Sequence, residues 1–389
     1  MAFGVYIHIP YCVTKCPYCD FNSHGVGNSF PEGEYSQSVL GELELYADYF
    51  HGRSITSIFF GGGTPSLFDP SSIGRIISKV YELASVSDEA EISLEVNPKT
   101  ADVSKLKGLR DAGVNRVSVG IQSFSERKLK FLGRINTPED SRQILKDVIA
   151  AGFDNFNFDL MYGTTGETSR ELRSDLEQAV GFGSNHISAY CLTIEDGTAF
   201  GKMYKLGKLK LPKDERLSEF ITYTSQYLET AGYGRYEISN FAKPGFECRH
   251  NLLYWNSDEY LGVGAGAHSH LNGADNSWGT RWGNIRNPSS YIKAVAGGDK
   301  PVDFLEELQK QEALEDRIIM GMRLQGGLDI EEIEARYGVT PNTKQLAYII
   351  EDGYLERSDN YCKLTEKGNL FSNEIILRLV DSLEPCIHE

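Results

Sequence analysis

Val5-Tyr-Ile-His-Ile9-Pro-Tyr-Cys12-Val-Thr-Lys-Cys16-Pro-Tyr-Cys19 is the stretch on which the fold turns. Its first five residues alternate apolar and polar side chains, the period of a half-buried strand, and three thiols follow within eight residues. The same order, a strand and then chemically unusual punctuation, recurs down the chain. Strands are expected at Ile55–Phe60, followed by Gly61-Gly-Gly-Thr-Pro65, and at Glu91–Val96, ending in Glu95-Val-Asn-Pro98. Three more are expected at Arg116–Ile121 before Gln122-Ser123, at Phe156–Met161 with Asp159 and then Tyr162-Gly163, and at His186–Leu192 with Tyr190-Cys191. Between them, Tyr35–Tyr49, Ser72–Ala84, Pro138–Ala151 and Ser169–Val180 repeat apolar residues at three- and four-residue spacing, which predicts helices packing on one face. Repeated βα units require parallel strands, hence either an open doubly wound sheet or a (β/α) barrel. Polar or glycine-rich residues at the ends of six successive strands favour the barrel, which assembles one site from many loops.

The chain has 389 residues, enough for two domains or one large domain with an appendage. Its 40% apolar and 24% charged residues exclude a disordered, collagenous or coiled-coil protein. Lys and Arg number 39 against 55 Asp and Glu, a net charge of −16 that repels phosphate backbones and argues against nucleic acid as a partner. The N-terminus reads as neither a secretory nor a transit signal, and no apolar run approaches ~18 residues, so a cytoplasmic protein without a transmembrane segment is expected.

Past Leu211 the pattern changes. A helix at Glu215–Ala231 precedes a stretch, Gly232 to Pro288, that holds all three tryptophans and reads as a loop-rich binding region. From Pro301 the order is helix, short helix, helix (Glu312–Leu324, Ile330–Tyr337, Lys344–Glu351), two short strands around Ser358-Asp-Asn360 and a last helix, Gly368–Val380. That order suggests a winged-helix-like module serving as a lid or partner surface. Its nine basic against 19 acidic residues argue against DNA reading. The expected division is a barrel core at 1–230, an aromatic extension at 231–300 and the C-terminal module at 301–389.

Seven cysteines, three of them on one loop, fit a metal site in a reducing compartment better than a disulfide framework. Three thiolates suit a [4Fe–4S] cluster with one open iron, whereas zinc would need a fourth ligand, for which His24 is the candidate. The C-x3-C-x2-C loop after the first strand, with Tyr18 before its last cysteine and Gly61–Pro65 after the second strand, resembles the radical S-adenosylmethionine (SAM) superfamily. That resemblance implies a partial (β/α)6 TIM-like barrel with a cluster on Cys12, Cys16 and Cys19 and SAM on its open iron. The motifs Tyr6-Ile-His-Ile-Pro-Tyr-Cys12, Glu95-Val-Asn-Pro98, Gly120-Ile-Gln-Ser123 and Leu132-Gly-Arg134 are similar to the branch of the oxygen-independent coproporphyrinogen III oxidases. The likeness implies SAM contacts from Tyr6, Tyr18, Gly62, Gly63, Thr64, Glu95, Gln122, Arg134 and Asp159, with Cys191 and His268 near the adenine. Read singly, the glycines are also a tight turn, and Glu95, Arg134 and Asp159 a structural ion-pair set.

Oxidases of this branch carry a further cysteine two residues after the third, where this chain has Phe21. Cys19-Asp-Phe21, His250-Asn-Leu-Leu-Tyr254-Trp255 and the run from Tyr260 to Ser269 instead resemble the HemW group of heme chaperones. This implies heme as ligand, an acceptor protein as partner and an electron donor such as a flavodoxin or ferredoxin. Heme wants aromatic walls, an axial ligand and basic partners for its propionates. Tyr254, Trp255 and Tyr260 would be the walls, His250 or Cys248 the ligand and Arg249 the propionate partner; in the alternative, His250 and Asn251 hydrogen-bond a loop closing the barrel and the aromatics are core. The competing expectation is a radical enzyme, either a coproporphyrinogen oxidase or a methyl- or cyclopropane-transferring relative. Asn136, the Tyr162–Thr168 turn and Cys191 depart from the family's usual residues.

Overall fold

A computed structural model describes residues 2–27, 29–273 and 278–386. All six expected strands form: β1 (Ala2–Ile9), β2 (Ser54–Gly62), β3 (Ser85–Val96), β4 (Arg116–Gln122), β5 (Asn155–Tyr162) and β6 (His186–Cys191). β3 starts six residues earlier than expected because its first half, Ser85 to Glu89, is polar and partly exposed and gives no apolar signal. The crossovers are α1 (Glu32–Leu45), α2 (Pro70–Leu83), α3 (Val103–Asp111), α4 (Glu126–Phe131), α5 (Pro138–Ala150) and α6 (Ser169–Gly181). Local chemistry sets their starts. Asp69 caps α2, with Pro70 in its first turn, and the pairs Thr137/Asp140 and Thr168/Glu171 form capping boxes on α5 and α6. Every residue of β4 is buried, as a parallel strand covered on both faces should be.

Beyond β6 come α7 (Ala199–Lys205), α8 (Asp214–Thr230), β7 (Gly234–Arg235), β8 (Asn240–Ala242), α9 (Arg249–Trp255), β9 (Glu259–Val263), β10 (His268–Leu271), β11 (Thr280–Asn284), α10 (Pro288–Ala296) and β12 (Val302–Glu307). The twelve strands form one sheet in the order β12-β11-β10-β9-β1-β2-β3-β4-β5-β6-β8-β7. β9 lies parallel to β1, from Phe3 opposite Glu259 to Ile7 opposite Val263, so seven adjacent strands run parallel with antiparallel margins on both sides. The stretch expected to be loop-rich thus also contributes five short strands to the sheet. Its strands are two to five residues long and rich in Gly and polar residues, too short for period-two alternation to show.

Glu42, fully buried on α1, ties this extension to the barrel. It accepts from Gly264 N–H at 2.8 Å, Asn284 Nδ2 at 2.6 Å and Tyr291 OH at 2.6 Å. Helix α9 closes the barrel at the end where the strands begin. Glu91 of β3 accepts from Arg249 N–H at 3.1 Å, and a Cβ on Gly4 of β1 would stand 2.5 Å from Leu253 Cδ1.

The C-terminal residues build a separate core around Leu314, Ile318, Ile333, Leu346, Leu355 and Leu379. Its elements are α11 (Lys310–Gly321), β13 (Leu328–Asp329), α12 (Ile330–Tyr337), α13 (Thr343–Glu351), β14 (Leu355–Ser358), β15 (Tyr361–Leu364), α14 (Glu366–Leu370) and α15 (Ser372–Asp381), with an antiparallel sheet β13-β15-β14. This is a winged-helix order. The last expected helix is broken at Phe371 into two. The module rests on the barrel's closed end, where α11 packs on α9 and Gln325 N–H donates to Tyr236 O at 2.9 Å. None of its described residues lines the cavity at the opposite end, which argues against the reading of it as a lid. Among the described residues no helix is long and apolar enough to cross a membrane.

Candidate functional site

At the C-terminal ends of the strands one cavity of about 510 Å³ gathers residues from every βα unit of the first six. Cys12, Cys16, Tyr18 and Cys19 come from the loop after β1, Gly62, Gly63 and Thr64 from the end of β2, and Glu95 from β3. Gln122 ends β4, Arg134 follows α4, Asp159 lies on β5 and Cys191 ends β6.

All seven cysteines are free. The three on the loop border the cavity without converging, for among the described residues no three His, Cys, Asp or Glu side chains come together as ligands of one ion. A mononuclear zinc needs such convergence, and His24 does not line the cavity. A [4Fe–4S] cluster takes one thiolate per iron, so ligands spread around a cavity fit it.

The cysteines are braced by a chain of side chains. Thr64 Oγ1 donates to Cys12 Sγ at 3.4 Å, and Asn97 Nδ2 donates to Thr64 Oγ1 at 2.8 Å. Arg134 donates through Nη2 to Asn97 Oδ1 at 2.7 Å and to Gly120 O, through Nη1 to Cys16 Sγ at 3.7 Å, and through Nε to Asn136 Oδ1 at 3.3 Å. Four bonds occupy four of the five N–H groups of this guanidinium, and Tyr18 is a further hydrogen-bonding neighbour. Asn97 is the residue that motif reading passed over, although it stood inside Glu95-Val-Asn-Pro98. Asn136, one of the departures from the family pattern, orients Arg134 and donates to Ser141 Oγ at 2.9 Å.

The glycines are also structurally required. A Cβ on Gly63 would meet Tyr11 O at 2.6 Å, and Gly62, at φ +110°, donates its N–H to Glu95 Oε2 at 3.1 Å. Gln122 holds φ +67° without being glycine, a strained conformation of the kind that collects at working sites.

Glu95 and Asp159, each partly exposed to the cavity, are two acids of the wall whose charges oppose each other. Burial, and then the Asp159 charge, push Glu95 up to about 8; burial pushes Asp159 up to about 6, against hydrogen bonding from Ser188 and the charges of Arg116 and Arg134. Near neutral pH the pair retains a proton that a cationic ligand would expel.

A second chamber of about 240 Å³ lies behind this pair, which it shares with the first cavity. Tyr6 lines the inner chamber instead of the cysteine cavity. Its hydroxyl bonds to His8 Nδ1 at 3.0 Å, and His8 Nε2 bonds to Asn22 O at 2.8 Å, so Tyr6 reaches the cysteine loop through His8. His268 is exposed on β10 against Phe304 and lines neither chamber.

His250 points into the inner chamber from α9, 1% exposed. Ser57 Oγ holds its Nδ1 at 2.8 Å, Tyr254 OH holds its Nε2 at 2.9 Å, and its ring stacks on Phe59. Burial pushes the imidazole down to about 3. In this arrangement neither ring nitrogen is free for an iron. Cys248 bonds to Glu91, and Arg249 donates to Glu89 O at 2.6 Å. Tyr254 packs edge-on against His250 and Tyr260, while Trp255 lines neither chamber. The inner chamber is smaller than the ~300–1,000 Å³ of usual ligand pockets. In this structure His250, Cys248, Arg249 and Tyr254 make contacts that close the barrel's end.

Comparison with known proteins follows the same lines. The family model described as the radical SAM superfamily matches residues 6–179, and that of the HemN C-terminal domain matches residues 308–371. Heme chaperone HemW of Escherichia coli (strain K12) is 37% identical over 383 residues, covering 96% of this chain and 97% of its own. The HemW proteins of Haemophilus influenzae (36%; 96% and 96%) and Bacillus subtilis (33%; 96% and 97%) match over similar lengths. The solved structure of coproporphyrinogen III oxidase (HemN) from Escherichia coli, described as a radical SAM enzyme, superposes with a TM-score of 0.81 at 22% identity, covering 97% of this chain and 89% of that one.

Proposed function

The chain belongs to the radical SAM superfamily and within it to the family of the heme chaperones HemW, and from that premise we propose that it binds a [4Fe–4S] cluster, SAM and heme, and passes the heme to an acceptor protein. The single cavity that combines Cys12, Cys16 and Cys19 with Glu95, Gln122, Arg134 and Asp159 is the observation that carries the cofactor assignment. The heme assignment is supported by likeness to named heme chaperones along nearly the whole chain. When bound, the cluster and SAM supply one-electron cleavage of a sulfonium. The residues of this chain hold the thiolates apart, brace Cys12 through Thr64 and Cys16 through Arg134, and present a carboxylate pair to the ligand's positive charge.

That pair makes SAM binding pH-dependent with a definite sign. Ionised Glu95 attracts the cation, so below its value of about 8 a proton must leave first. Affinity is expected to rise by up to about tenfold per pH unit towards pH 8 and to level above it, with a proton released on binding at neutral pH. Calorimetry in two buffers of different ionisation heat reads both effects. Glu95→Gln should flatten the rise; equal wild-type affinity at about pH 6.5 and about pH 8.5 would remove Glu95 from the ligand set.

Hemin titration of anaerobically reconstituted protein tests the chaperone reading, which requires saturable, stoichiometric binding and transfer to an apoprotein. Absence of specific binding overturns it, and 5′-deoxyadenosine formed only with a substrate would then favour a radical enzyme. The His250→Ala variant locates the heme. Loss of the heme spectrum in a folded variant means that α9 leaves the barrel to release the imidazole, whereas an unchanged spectrum assigns heme to an exposed surface.

A further inference from the structure

Residues 197–213 carry five lysines, Lys202, Lys205, Lys208, Lys210 and Lys213, and no acid, in a chain whose net charge is −16. All five are exposed, and among the described residues only Lys205 forms a salt bridge, to Asp196 at 3.0 Å. Three apolar side chains stand among them in the open: Met203, Tyr204 and Leu206 are 39%, 52% and 69% exposed. Helix α7 and the turn after it thus project basic charge and apolar surface together, the composition of a protein contact and not of a solvated face.

The location is as specific as the composition. Phe200 at the base of α7 donates its N–H to Pro17 O at 2.9 Å, and its ring lies 6.5 Å from that of Tyr18. Pro17 and Tyr18 are the two residues between Cys16 and Cys19, so the lysine arm is anchored directly on the cysteine loop. On the same loop Phe21 is 67% exposed, and Lys15 donates to its carbonyl at 2.9 Å.

We propose that this arm is the docking surface of a small acidic one-electron carrier protein, an assignment that rests on the cluster reading above. Opposite charge steers the encounter, and the apolar side chains provide area that water leaves on contact. The contact leads to the cysteine loop and not to the barrel's closed end, which is why a redox partner suits it better than an anionic membrane. The carrier would give up one electron, its reduced flavin going from hydroquinone to semiquinone, to a cluster that Cys12, Cys16 and Cys19 would hold; no bond to this chain would form or break.

A flavodoxin serves as the probe, and its binding to the full chain, measured by flavin fluorescence anisotropy, needs no cluster. Because the screening length falls from about 10 Å at 0.1 M salt to about 3 Å at 1 M, affinity should fall at least ~10-fold across that range. A Lys202→Glu, Lys208→Glu, Lys210→Glu, Lys213→Glu variant should bind at least ~10-fold more weakly at low salt while keeping its thermal melt. In reconstituted protein its reduction by reduced flavodoxin should slow in proportion, with the fraction of cluster reduced by photoexcited deazaflavin unchanged. Absence of wild-type binding, or equal binding by both proteins, overturns the proposal. So does a variant that loses affinity only for phosphatidylglycerol vesicles, which would make the arm a membrane contact. Failure to assemble a cluster would instead appear in the absorption spectrum alone and would count against the cofactor reading.

Discussion

Reconstituted anaerobically with iron and sulfide, the Cys16→Ala variant is expected to stay colourless, while wild-type protein takes up a cluster with visible thiolate-to-iron absorption. Three protein thiolates are the fewest that hold a four-iron cluster with one iron open, so losing one should abolish assembly rather than weaken it. Cys16 is the informative choice because Arg134 Nη1 reaches its sulfur at 3.7 Å, so the variant also removes one of the guanidinium's four acceptors. Cys191→Ala is the control. Its thiol lines the same cavity from the end of β6, away from the three-cysteine loop, and burial pushes it up to about 11. A normal spectrum from Cys16→Ala, or a lost one from Cys191→Ala, would overturn the ligand assignment.

The second large effect is on stability. Lys128 of α4 is 1% exposed and donates to Glu167 Oε1 at 2.6 Å and to Asp175 Oδ2 at 2.9 Å. Asp175 also accepts from Ser123 Oγ at 2.6 Å and Phe124 N–H at 2.9 Å, and Glu167 accepts from Thr164 N–H at 2.9 Å. One cation thereby joins the residues that follow the strained Gln122 to the turn after β5 and to α6. Lys128→Met should cost about 3–5 kcal/mol, since it leaves two carboxylates buried without a counter-ion. Urea unfolding measures it. A Lys128→Met, Glu167→Gln double variant should recover part of the loss, because one of the two uncompensated charges is gone. A single variant within about 1 kcal/mol of wild type would show that the network is not under tension. Glu167 lies in the Tyr162–Thr168 turn that departs from the family pattern, and the ion pair gives that departure a structural reason.

The elements visible in sequence are those whose signal is local. β1, β4, β5 and β6 and the crossover helices α2, α5 and α6 were expected within one to three residues of their bounds, because buried strands and one-sided helices repeat their apolar residues at fixed periods. β8, at three residues, and β7, at two, are too short to show any period; β8 pairs with the edge of β6, and β7 with β8.

The composition of the cysteine cavity was legible for a related reason. In a parallel barrel every strand delivers its C-terminal end to the same side, so a residue's place after its strand predicts its place in space. Cys12, Gly62, Glu95, Gln122, Asp159 and Cys191 followed from that rule. Asn97 became visible as a brace only when Arg134 and Thr64 were seen to meet on it.

His250-Asn-Leu-Leu-Tyr-Trp255 shows the limit of such reading. By itself the sequence determined that a histidine, aromatics, a cysteine and an arginine lie together, and that the chain is a βα barrel with three clustered thiols. Only the tertiary structure decided that α9 lies at the opposite end of the barrel from those thiols, with both imidazole nitrogens taken by Ser57 and Tyr254. The physical reason is that a side chain's availability depends on partners far away in sequence: Ser57 is 193 positions from His250, and no local pattern records which of two hydrogen-bonding groups will be buried against each other.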